Sequence, residues 1–372
     1  MKISIDATGI RPHKTGTVTY LVEILRECNA DKSLEHTFII FCATATRHHF
    51  DELELDSRFQ LKTAPKRKLQ QMLWQQTGLP YYLWRHGIDV HWGPGFVLPL
   101  LAVCPMVVTV HDMTFELFPE VHEPIKRFYF PFMIRRAVKR ATNVLVISKS
   151  TANDIERLIP ASRGKTVVTY LAARCTNVSP EDTAQAAQTT AAREVPSTPY
   201  VLFIGTLEPR KNLQRLIQAW AKLGVDVRGE HRLIVVGLQG WMVQSLQSQA
   251  GDSVLWAGHL SDEALQRYLR HATCFVYPTL YEGFGLPVVE AMAAGVPVLT
   301  SDIGATAEIA RDAALLIDPT SLQSIEHGLT RLLQEADLRQ QLAAAGLQRA
   351  ARFSWKRTAQ LTCQTLSDAA DK

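Results

Sequence analysis

The sequence has no apolar run long enough to cross a bilayer. Its longest apolar stretch, from Phe96 to Val108, is interrupted by Pro99 and Pro105 and is shorter than the roughly 20 residues that span a membrane. At the amino terminus, Asp6 interrupts the apolar residues too early for a secretory signal, which needs about 7–15 of them in succession. We therefore expect a cytoplasmic protein that is soluble or attached to a membrane surface.

Closely spaced cysteines are missing as well. Six cysteines are spread along 372 residues, and no two of them form a C-x-x-C pair. Structural zinc sites typically use such pairs, and small secreted disulfide frameworks need many cysteines in a short chain. The pattern excludes both classes and is typical of a reducing compartment.

Three nucleotide-binding signatures do not occur. Neither the dinucleotide-binding string G-x-G-x-x-G nor the phosphate-binding string G-x-x-x-x-G-K-[ST] is found, so hydride transfer and ATP hydrolysis become poor explanations. D-x-D, the simplest carboxylate clamp for a metal-bound nucleotide diphosphate, is also missing. If the protein binds a phosphate, we expect cations and backbone amides, and no metal ion, to neutralise it.

What the sequence does contain is the rhythm of a parallel α/β protein. Short apolar runs of strand length alternate with longer segments of helical spacing. In the first half the predicted strands are KISID, TFIIFC, MVVTV, NVLVIS and TVVTY. The alternation restarts after a segment rich in Ala, Thr, Ser and Pro, with the strand YVLFIG and the helix NLQRLIQAWAKL. A chain of 372 residues is also long for one domain. We predict a first domain at 1–175, a linker at 176–199, a second domain at 200–352, and at 353–372 a closing amphipathic helix that could pack on either domain.

Positive charge is concentrated in the first half. Residues 1–175 carry 23 Lys and Arg against 16 Asp and Glu, whereas residues 176–372 carry 17 against 20. The cations are interleaved with Trp, Tyr and Phe, which suits an anionic membrane surface or a nucleic-acid backbone. A solvated helix face above a buried aromatic stripe explains the pattern equally well. The basic residues are Lys66, Arg67, Lys68, Lys126, Arg127, Arg135, Arg136, Lys139 and Arg140, and the neighbouring aromatic residues are Trp74, Tyr81, Tyr82 and Trp84.

A candidate phosphate site lies in the string GTLEPRKNLQRLIQAW. The strand that ends at Gly205 leads into a turn and then into an amphipathic helix, for which Asn212 is a suitable N-cap. Arg210 and Lys211 come directly before that cap, where backbone N–H groups and the helix dipole favour an anion. Because cations are unfavourable there unless an anion compensates them, we interpret the pair as phosphate ligands. The alternative is that both are solvated loop residues.

A second candidate site lies in YEGFGLPVVEAMAAGVPVLTS. Glu282 is predicted to follow a strand, at the edge where open α/β sheets bind ligands, and Glu290 to lie in the first turns of the next helix. Gly283 and Gly285 allow backbone amides to approach a ligand closely. The two carboxylates can accept hydrogen bonds from sugar hydroxyls. Alternatively, Glu290 interacts only with its helix terminus and Glu282 is exposed.

A third candidate is His111 with Asp112, which follow the predicted strand MVVTV. A histidine at that edge of the sheet can donate a hydrogen bond to a sugar or transfer a proton. The alternative is a structural His–Asp pair. His259, in WAGHLSDEAL, is a weaker candidate, since its segment offers mainly backbone groups to a nucleobase.

The strings GTLEPRKN, GHLSDEAL and YPTLYEGFGLPVVEAMAAGVPV together resemble the carboxyl-terminal half of the retaining glycosyltransferases of family 4. The resemblance is dense over residues 200–320 and looser in the first half, through VHD and VLVISKSTANDI. It implies the GT-B fold, with two Rossmann-like parallel-sheet domains facing a cleft, and a final helix that returns to the amino-terminal domain. It also implies retaining transfer of a sugar from a nucleotide-activated donor, without a metal or another cofactor.

The same resemblance implies a role for each candidate residue. Arg210 and Lys211 match the pair that holds the donor diphosphate and stabilises its departure. Glu282 and Glu290 match the glutamates of the E-x7-E string, which contact the donor sugar and the ribose hydroxyls respectively. His111 matches the histidine that lies under the donor sugar. The remaining donor-binding residues are Gly16, Gly205, Gly283, Phe284, Gly285 and Leu286, of which Gly16 stands alone in RPHKTGTVTY where many relatives have a Gly-Gly pair.

The strings IDATGI and TLEPRKN are similar to those of bacterial mannosyl- and rhamnosyltransferases that build O-antigen or exopolysaccharide. We therefore expect a GDP-sugar donor that carries mannose or rhamnose. From the basic and aromatic residues of the first half we expect a glycan acceptor linked to a polyprenyl lipid at the inner face of the cytoplasmic membrane. The alternatives are a UDP-sugar donor, a sugar-nucleotide 2-epimerase of the same fold, and a sugar-nucleotide-binding protein without turnover. We expect no nucleic-acid partner, because such a partner leaves the E-x7-E string unexplained.

Overall fold

The computed structural model describes residues 1–13, 15–65, 67–101, 103–174, 195–237, 246–247 and 250–372. Two units make up this part of the chain: the first combines Met1–Leu171 with Ser354–Lys372, and the second is Ala172–Phe353. The predicted linker at 176–199 lies outside the described residues as far as 194, so it stays a prediction.

The first unit is built on a seven-stranded sheet whose strand pairs are all parallel. In chain order its strands are β1 Lys2–Ala7, β2 Thr37–Cys42, β3 Phe59–Thr63, β4 Val90–Gly93, β5 Met106–Val110, β6 Asn143–Val146 and β7 Thr166–Val168. Their spatial order is β3-β2-β1-β4-β5-β6-β7, so the strand order reverses between β1 and β4.

Helices of the first unit cover the sheet through apolar residues. On α6, Ile134 and Val138 belong to the same buried cluster as Val108 and Val144 of the strands. The helices before the second unit are α1 Gly16–Ala30, α2 His48–Asp51, α3 Lys68–Gln76, α4 Gly78–Arg85, α5 Thr114–Leu117, α6 Pro124–Arg140 and α7 Lys149–Leu158.

The second unit repeats this architecture with six parallel strands. They are β8 Tyr200–Ile204, β9 Arg232–Val236, β10 Val254–Gly258, β11 Cys274–Tyr277, β12 Val298–Ser301 and β13 Leu315–Ile317. Within the described residues its α-helices are α8 Leu213–Lys222, α9 Val225–Arg228, α10 Asp262–Arg270, α11 Leu286–Ala293, α12 Gly304–Ala310, α13 Leu322–Gln334 and α14 Ala336–Ala350. The prediction of two successive parallel α/β halves is confirmed.

The last helix, α15 Trp355–Ala370, belongs to the first unit and packs against α1. The Sγ atoms of Cys28 and Cys363 lie 3.3 Å apart where the two helices meet. Among the helices described, none has the combination of length and apolar character that a membrane crossing requires.

The strand order of the second unit places its two candidate segments side by side. The order is β10-β9-β8-β11-β12-β13, so it reverses between β8 and β11, which pair directly through Val201 and Cys274. Ligands of open parallel sheets bind outside the carboxyl ends of the strands at such a reversal. The loops that follow β8 and β11 carry the Arg-Lys pair and the first glutamate, so the topology brings them to one edge.

Glycine is required beside this edge, where β8 and β9 end together. The backbone N–H of Gly205 donates to the carbonyl of Val236 at 2.9 Å. Gly237 has a φ of +154°, and a Cβ at this position would lie 1.9 Å from the carbonyl oxygen of Gly205. No side chain can therefore be placed at residue 237 without moving the backbone on which the candidate site is built.

We expect Gly237→Ala to lower the free energy of unfolding of the second unit by about 3 kcal/mol, because backbone strain and overpacking each cost about 1–3 kcal/mol. Chemical denaturation measures the loss. Gly9→Ala is the control, since a Cβ there meets nothing within 4 Å, and it should change stability by less than about 0.5 kcal/mol. Equal stability of the two variants would contradict the close approach of β8 and β9.

Candidate active site

The loop after β8 forms a 3-10 turn, Pro209–Lys211, that places two cations directly ahead of α8. Arg210 donates from Nη1 to Glu282 Oε1 at 3.0 Å and from Nε to Glu208 Oε2 at 2.9 Å. Lys211 is buried and donates from Nζ to the same Glu282 Oε1 at 2.5 Å. Glu282 is therefore an anion that compensates both cations, and the alternative of solvated loop residues is wrong.

Two further residues complete the hydrogen bonding of Glu282. The hydroxyls of Tyr277 and Thr279 each donate to Oε1 at 3.0 Å, and Lys211 also donates to the Tyr277 hydroxyl at 2.5 Å. One carboxylate oxygen thus accepts from four side chains. Tyr277 and Thr279 were not among the predicted site residues, although their position at the end of β11 is the signal that could have indicated them.

The charges of this cluster determine the ionisation of its members. Burial opposes ionisation of Glu282, but Lys211 and Arg210 outweigh burial and lower the pKa of the carboxyl to about 2. Burial and the neighbouring Arg210 lower the pKa of the Lys211 ammonium, while Glu282 acts in the opposite direction. Burial raises the pKa of the Tyr277 hydroxyl, so it stays protonated and remains a donor. Glu282 is consequently ionised at neutral pH and is not exposed.

Asn212 occupies the N-cap position of α8, but its side chain makes no capping hydrogen bond. Its Nδ2 donates to the carbonyls of Pro278 at 2.9 Å and Pro319 at 2.7 Å, and its Oδ1 accepts from Arg215 at 2.8 Å. The prediction of an ordinary N-cap is wrong because Oδ1, the atom that would accept from the first backbone N–H groups of the helix, accepts from Arg215 instead. Asn212 instead connects the loop after β8 to those after β11 and β13.

Glu290 lies in α11, is 5% exposed and forms a second ion-pair cluster. Its Oε1 accepts from Nε of Arg174 at 2.8 Å, and Nη1 of Arg174 donates to Asp262 Oδ1 at 2.7 Å. Burial raises the pKa of Glu290, and Arg174 only partly offsets that effect. The alternative that Glu290 interacts only with its own helix terminus is therefore wrong. Arg174 lies 116 residues away in sequence, and no local pattern indicates it.

The turn between the two glutamates allows close approach to the backbone. Gly285 has a φ of +97°, and a Cβ there would lie 3.2 Å from Thr306 Cγ2. Phe284 is buried and packs edge-on against Phe353, with ring centroids 5.7 Å apart. The Phe284 side chain therefore belongs to the core. What Gly283, Phe284, Gly285 and Leu286 can offer a ligand is backbone at the start of α11.

His111 follows β5 in the first unit and is buried. Its Nε2 lies 2.7 Å from the carbonyl oxygen of Pro94, so Nε2 carries the proton and Nδ1 is an acceptor in the neutral ring. Burial lowers the pKa of His111, which favours this neutral form. In this tautomer the ring proton is engaged by a carbonyl and is not available to a sugar, and the role of His111 toward a donor sugar stays a prediction. Asp112 Oδ1 accepts from the backbone N–H of Thr114 at 2.9 Å and from its hydroxyl at 2.6 Å, so the described contacts show no His–Asp pair.

The remaining candidates are Gly16, Gly205 and His259, and their positions in the fold are as follows. Gly16 begins α1, and a Cβ there would meet nothing within 4 Å. Gly205 directly follows β8, and His259 is exposed at the end of β10. The second unit thus joins Arg210, Lys211 and Glu282 in one cluster and Glu290 in another, whereas His111 and Gly16 belong to the first unit.

Comparison with solved structures identifies the fold. The structure of Anabaena HepE in complex with UDP and glucose superposes with a TM-score of 0.74, covering 99% of this chain and 100% of that one at 19% identity. Two parallel-sheet units of this kind are the GT-B fold of glycosyltransferases, which confirms the predicted fold class.

The family follows from sequence comparison. The model for Glycosyltransferase Family 4 matches residues 14–175, and the model for Glycosyl transferases group 1 matches residues 187–349. O-antigen chain mannosyltransferase B of Escherichia coli is 33% identical over 285 residues, which are 75% of this chain and 73% of that protein. O-antigen chain mannosyltransferase RfbU of Salmonella typhimurium is 28% identical over 245 residues, 64% of each chain. The chain belongs to glycosyltransferase family 4.

Glu282→Gln should lower the free energy of unfolding of the second unit by about 3–5 kcal/mol at pH 7, because it removes the anion that the buried Lys211 contacts and one of the two carboxylates that Arg210 contacts. In the native protein the carboxyl has a pKa lowered from 4.5 to about 2. Its contribution is therefore fully present above about pH 4.5 and is lost as the pH falls toward 2. Chemical denaturation at a series of pH values measures this loss. Between pH 7 and pH 3 the free energy of unfolding should fall more steeply for the native protein than for the variant.

Glu335→Gln is the matched control, since Glu335 forms an exposed ion pair with Arg331 at 2.8 Å. We expect a much smaller loss than for Glu282→Gln, because exposed ion pairs contribute little to stability. Similar losses in the two variants would contradict the assignment of Glu282 as the buried counter-ion.

Proposed function

We propose that this protein is a retaining mannosyltransferase that transfers mannose from a GDP-sugar to a glycan acceptor in O-antigen synthesis. The observation that carries the proposal is the ion-pair cluster of Arg210, Lys211 and Glu282 at the strand reversal of the second sheet. The names of the relatives specify mannosyl transfer to O-antigen chains, and they support mannose over rhamnose.

The cluster suits departure of a nucleoside diphosphate. As the bond between the sugar and the phosphate breaks, negative charge grows on the phosphate oxygens. Arg210 and Lys211 are held in place by Glu282 before any ligand arrives, so no reorganisation is needed when that charge develops. Preorganised cations of this kind stabilise the transition state more than the ground state. We propose that they do so without a metal ion.

Glu282 is poorly suited to act as a base or a nucleophile. Its pKa is lowered to about 2, and its Oε1 already accepts four hydrogen bonds. We therefore propose that the acceptor hydroxyl attacks the anomeric carbon on the face from which the diphosphate leaves. The new bond to the acceptor oxygen forms as the bond to phosphate breaks, and the hydroxyl proton passes to the leaving phosphate. Glu282 orients the donor sugar, Glu290 binds the ribose hydroxyls, and His111 accepts a hydrogen bond through Nδ1.

Arg210→Ala and Lys211→Ala should each lower turnover at least tenfold, which corresponds to about 1.4 kcal/mol of transition-state stabilisation. Initial rates with GDP-mannose and an O-antigen acceptor measure the effect. Lys222→Ala, at the exposed carboxyl end of α8, is the control and should keep native turnover. Native rates in both cluster variants would contradict the proposed phosphate site.

The same assay tests the donor and the role of metals. Hydrolysis and transfer should be fastest with GDP-mannose in a panel that also contains GDP-rhamnose, UDP-glucose and UDP-N-acetylglucosamine, and excess EDTA should leave the rate unchanged. Faster turnover with a UDP-sugar would show that the donor is a UDP-sugar and not GDP-mannose. Loss of activity in EDTA that magnesium restores would show that the enzyme requires a metal ion. Interconversion of the free sugar nucleotide without an acceptor would indicate a 2-epimerase.

We propose further that the glycan acceptor is linked to a membrane lipid, and one surface of the first unit supports this. Ile125 and Phe128 of α6 are 82% and 80% exposed, and with Phe132 they follow a helical spacing of three and four residues. The connections from β3 to β4 and from β5 to β6 cross the sheet in the same direction, so α3, α4 and α6 cover the same face. These helices and the segment before β5 carry exposed apolar residues, which are here called the apolar face. The apolar face consists of Leu69, Leu73, Tyr81, Trp84, Leu100, Leu101, Val103, Ile125, Phe128 and Phe132.

The aromatic residues of α3 and α4 divide between the core and this face. Trp74 and Tyr82 pack against Phe41 in the core, whereas Tyr81 and Trp84 are exposed. The predicted aromatic stripe is therefore half buried and half available to a partner.

Some of the predicted basic residues already have partners. Arg135 pairs with Glu116 at 2.7 Å, and Arg127 donates to the carbonyls of His122 and Glu120. Lys66 lies outside the described residues. The exposed cations on or next to the same helices are Arg67, Arg85, Arg136, Lys139 and Arg140. Because each cation near an anionic leaflet contributes about 1 kcal/mol, the apolar face and these residues together suit reversible attachment to such a membrane.

The protein should float with anionic liposomes at low salt and be released at high salt, since screening weakens the cationic part of the attachment. The double variant Ile125→Ser with Phe128→Ser should stay in the soluble fraction. Val225→Ser is the control, because Val225 is also an exposed apolar residue (75%) but lies in the second unit. Failure of the native protein to float at low salt would make a soluble acceptor the better proposal.

A further inference from the structure

Arg174 joins two carboxylates that come from different helices of the second unit. Its Nε donates to Glu290 of α11 at 2.8 Å, and its Nη1 donates to Asp262, the first residue of α10, at 2.7 Å. The side chains of Arg174 and Glu290 are 17% and 4% exposed. The arrangement is a largely buried ion triad.

The geometry of the triad restrains Glu290. A guanidinium group is planar, and its N–H groups point in fixed directions, so bonding to Asp262 fixes the direction from which Nε reaches Glu290. The bond to Arg174 uses one of the two Glu290 oxygens, Oε1. Because a buried carboxylate without a cation is strongly unfavourable, Arg174 also supplies the charge that lets Glu290 remain an acceptor.

We propose that Arg174 is the positioning residue of the ribose site, which holds Glu290 charged and oriented to accept hydrogen bonds from the two ribose hydroxyls of the donor, with Asp262 holding Arg174. This inference rests on the proposed role of Glu290 in binding ribose. Arg174 itself touches no part of the sugar or the diphosphate. Its loss should therefore weaken binding through the ribose hydroxyls and leave the rest of the nucleotide contacts intact.

Isothermal titration calorimetry tests the proposal. The ligands are GDP and 2′,3′-dideoxy-GDP, which lacks the two ribose hydroxyls and is here called the dideoxy probe. UDP is titrated in parallel. Arg174→Gln should weaken GDP binding at least tenfold and change the affinity for the dideoxy probe by less than threefold. Arg174→Lys, which keeps a cation, should recover part of the lost affinity. In a Glu290→Gln background, Arg174→Gln should have less than a threefold further effect. Arg270→Gln, at the exposed end of α10, is the control and should bind GDP like the native protein.

The possible outcomes separate the inference from the proposed function. Equal losses for GDP and the dideoxy probe would overturn the positioning role in favour of general structural damage. Native GDP binding by Arg174→Gln would show that Arg174 does not position Glu290, and tighter binding would show that Arg174 competes with the ribose. Each of these results leaves the proposed function intact. If the native protein bound neither GDP nor UDP, the proposed function itself would fail.

Discussion

The ionisation of one buried carboxylate is the constraint on which the site of the second unit depends. Glu282 is enclosed with two cations and two hydroxyl groups that all donate to a single oxygen. Burying a charge without a partner is costly, so these groups are stable only together. This dependence gives the site its rigidity: Arg210 and Lys211 cannot relax into solvent, and they remain fixed at the reversal point of the sheet. A site that must stabilise charge on a leaving diphosphate benefits from cations that are already oriented.

The same principle governs the other glutamate of the E-x7-E string. Glu290 depends on Arg174, and Arg174 in turn depends on Asp262. His111 of the first unit differs from these ionised glutamates, because its ring is neutral and its proton is engaged by the Pro94 carbonyl. The candidate side chains of the second unit are therefore ion pairs. The first unit instead has a neutral hydrogen-bond acceptor, His111, and an exposed apolar face that includes residues of α3, α4 and α6.

Much of the fold could be predicted from local patterns. The runs TFIIFC and MVVTV coincide with β2 and β5, and NLQRLIQAWAKL contains α8. In the first half, β3 and β4 were missed. Val90–Gly93 has only four residues, among them His91 and Trp92, so it shows no recognisable periodicity, and it is a strand because its neighbours on both sides, β1 and β5, hydrogen-bond to it. The exposed and buried aromatic residues of α3 and α4 could not be told apart either, since their sequence does not say which helix face meets Phe41.

The sequence by itself determined the order of the βα units and the types of residue at the strand ends. Hydrophobic periodicity is a local property, and the carboxyl ends of parallel strands necessarily meet at one edge of a sheet. Only the tertiary structure decided which groups pair there. Arg174 and Glu290 are 116 residues apart, and Lys211 and Glu282 are 71 apart. Partnership between such groups depends on distance, burial and the number of donors that reach one oxygen, and these quantities exist only once the chain has folded.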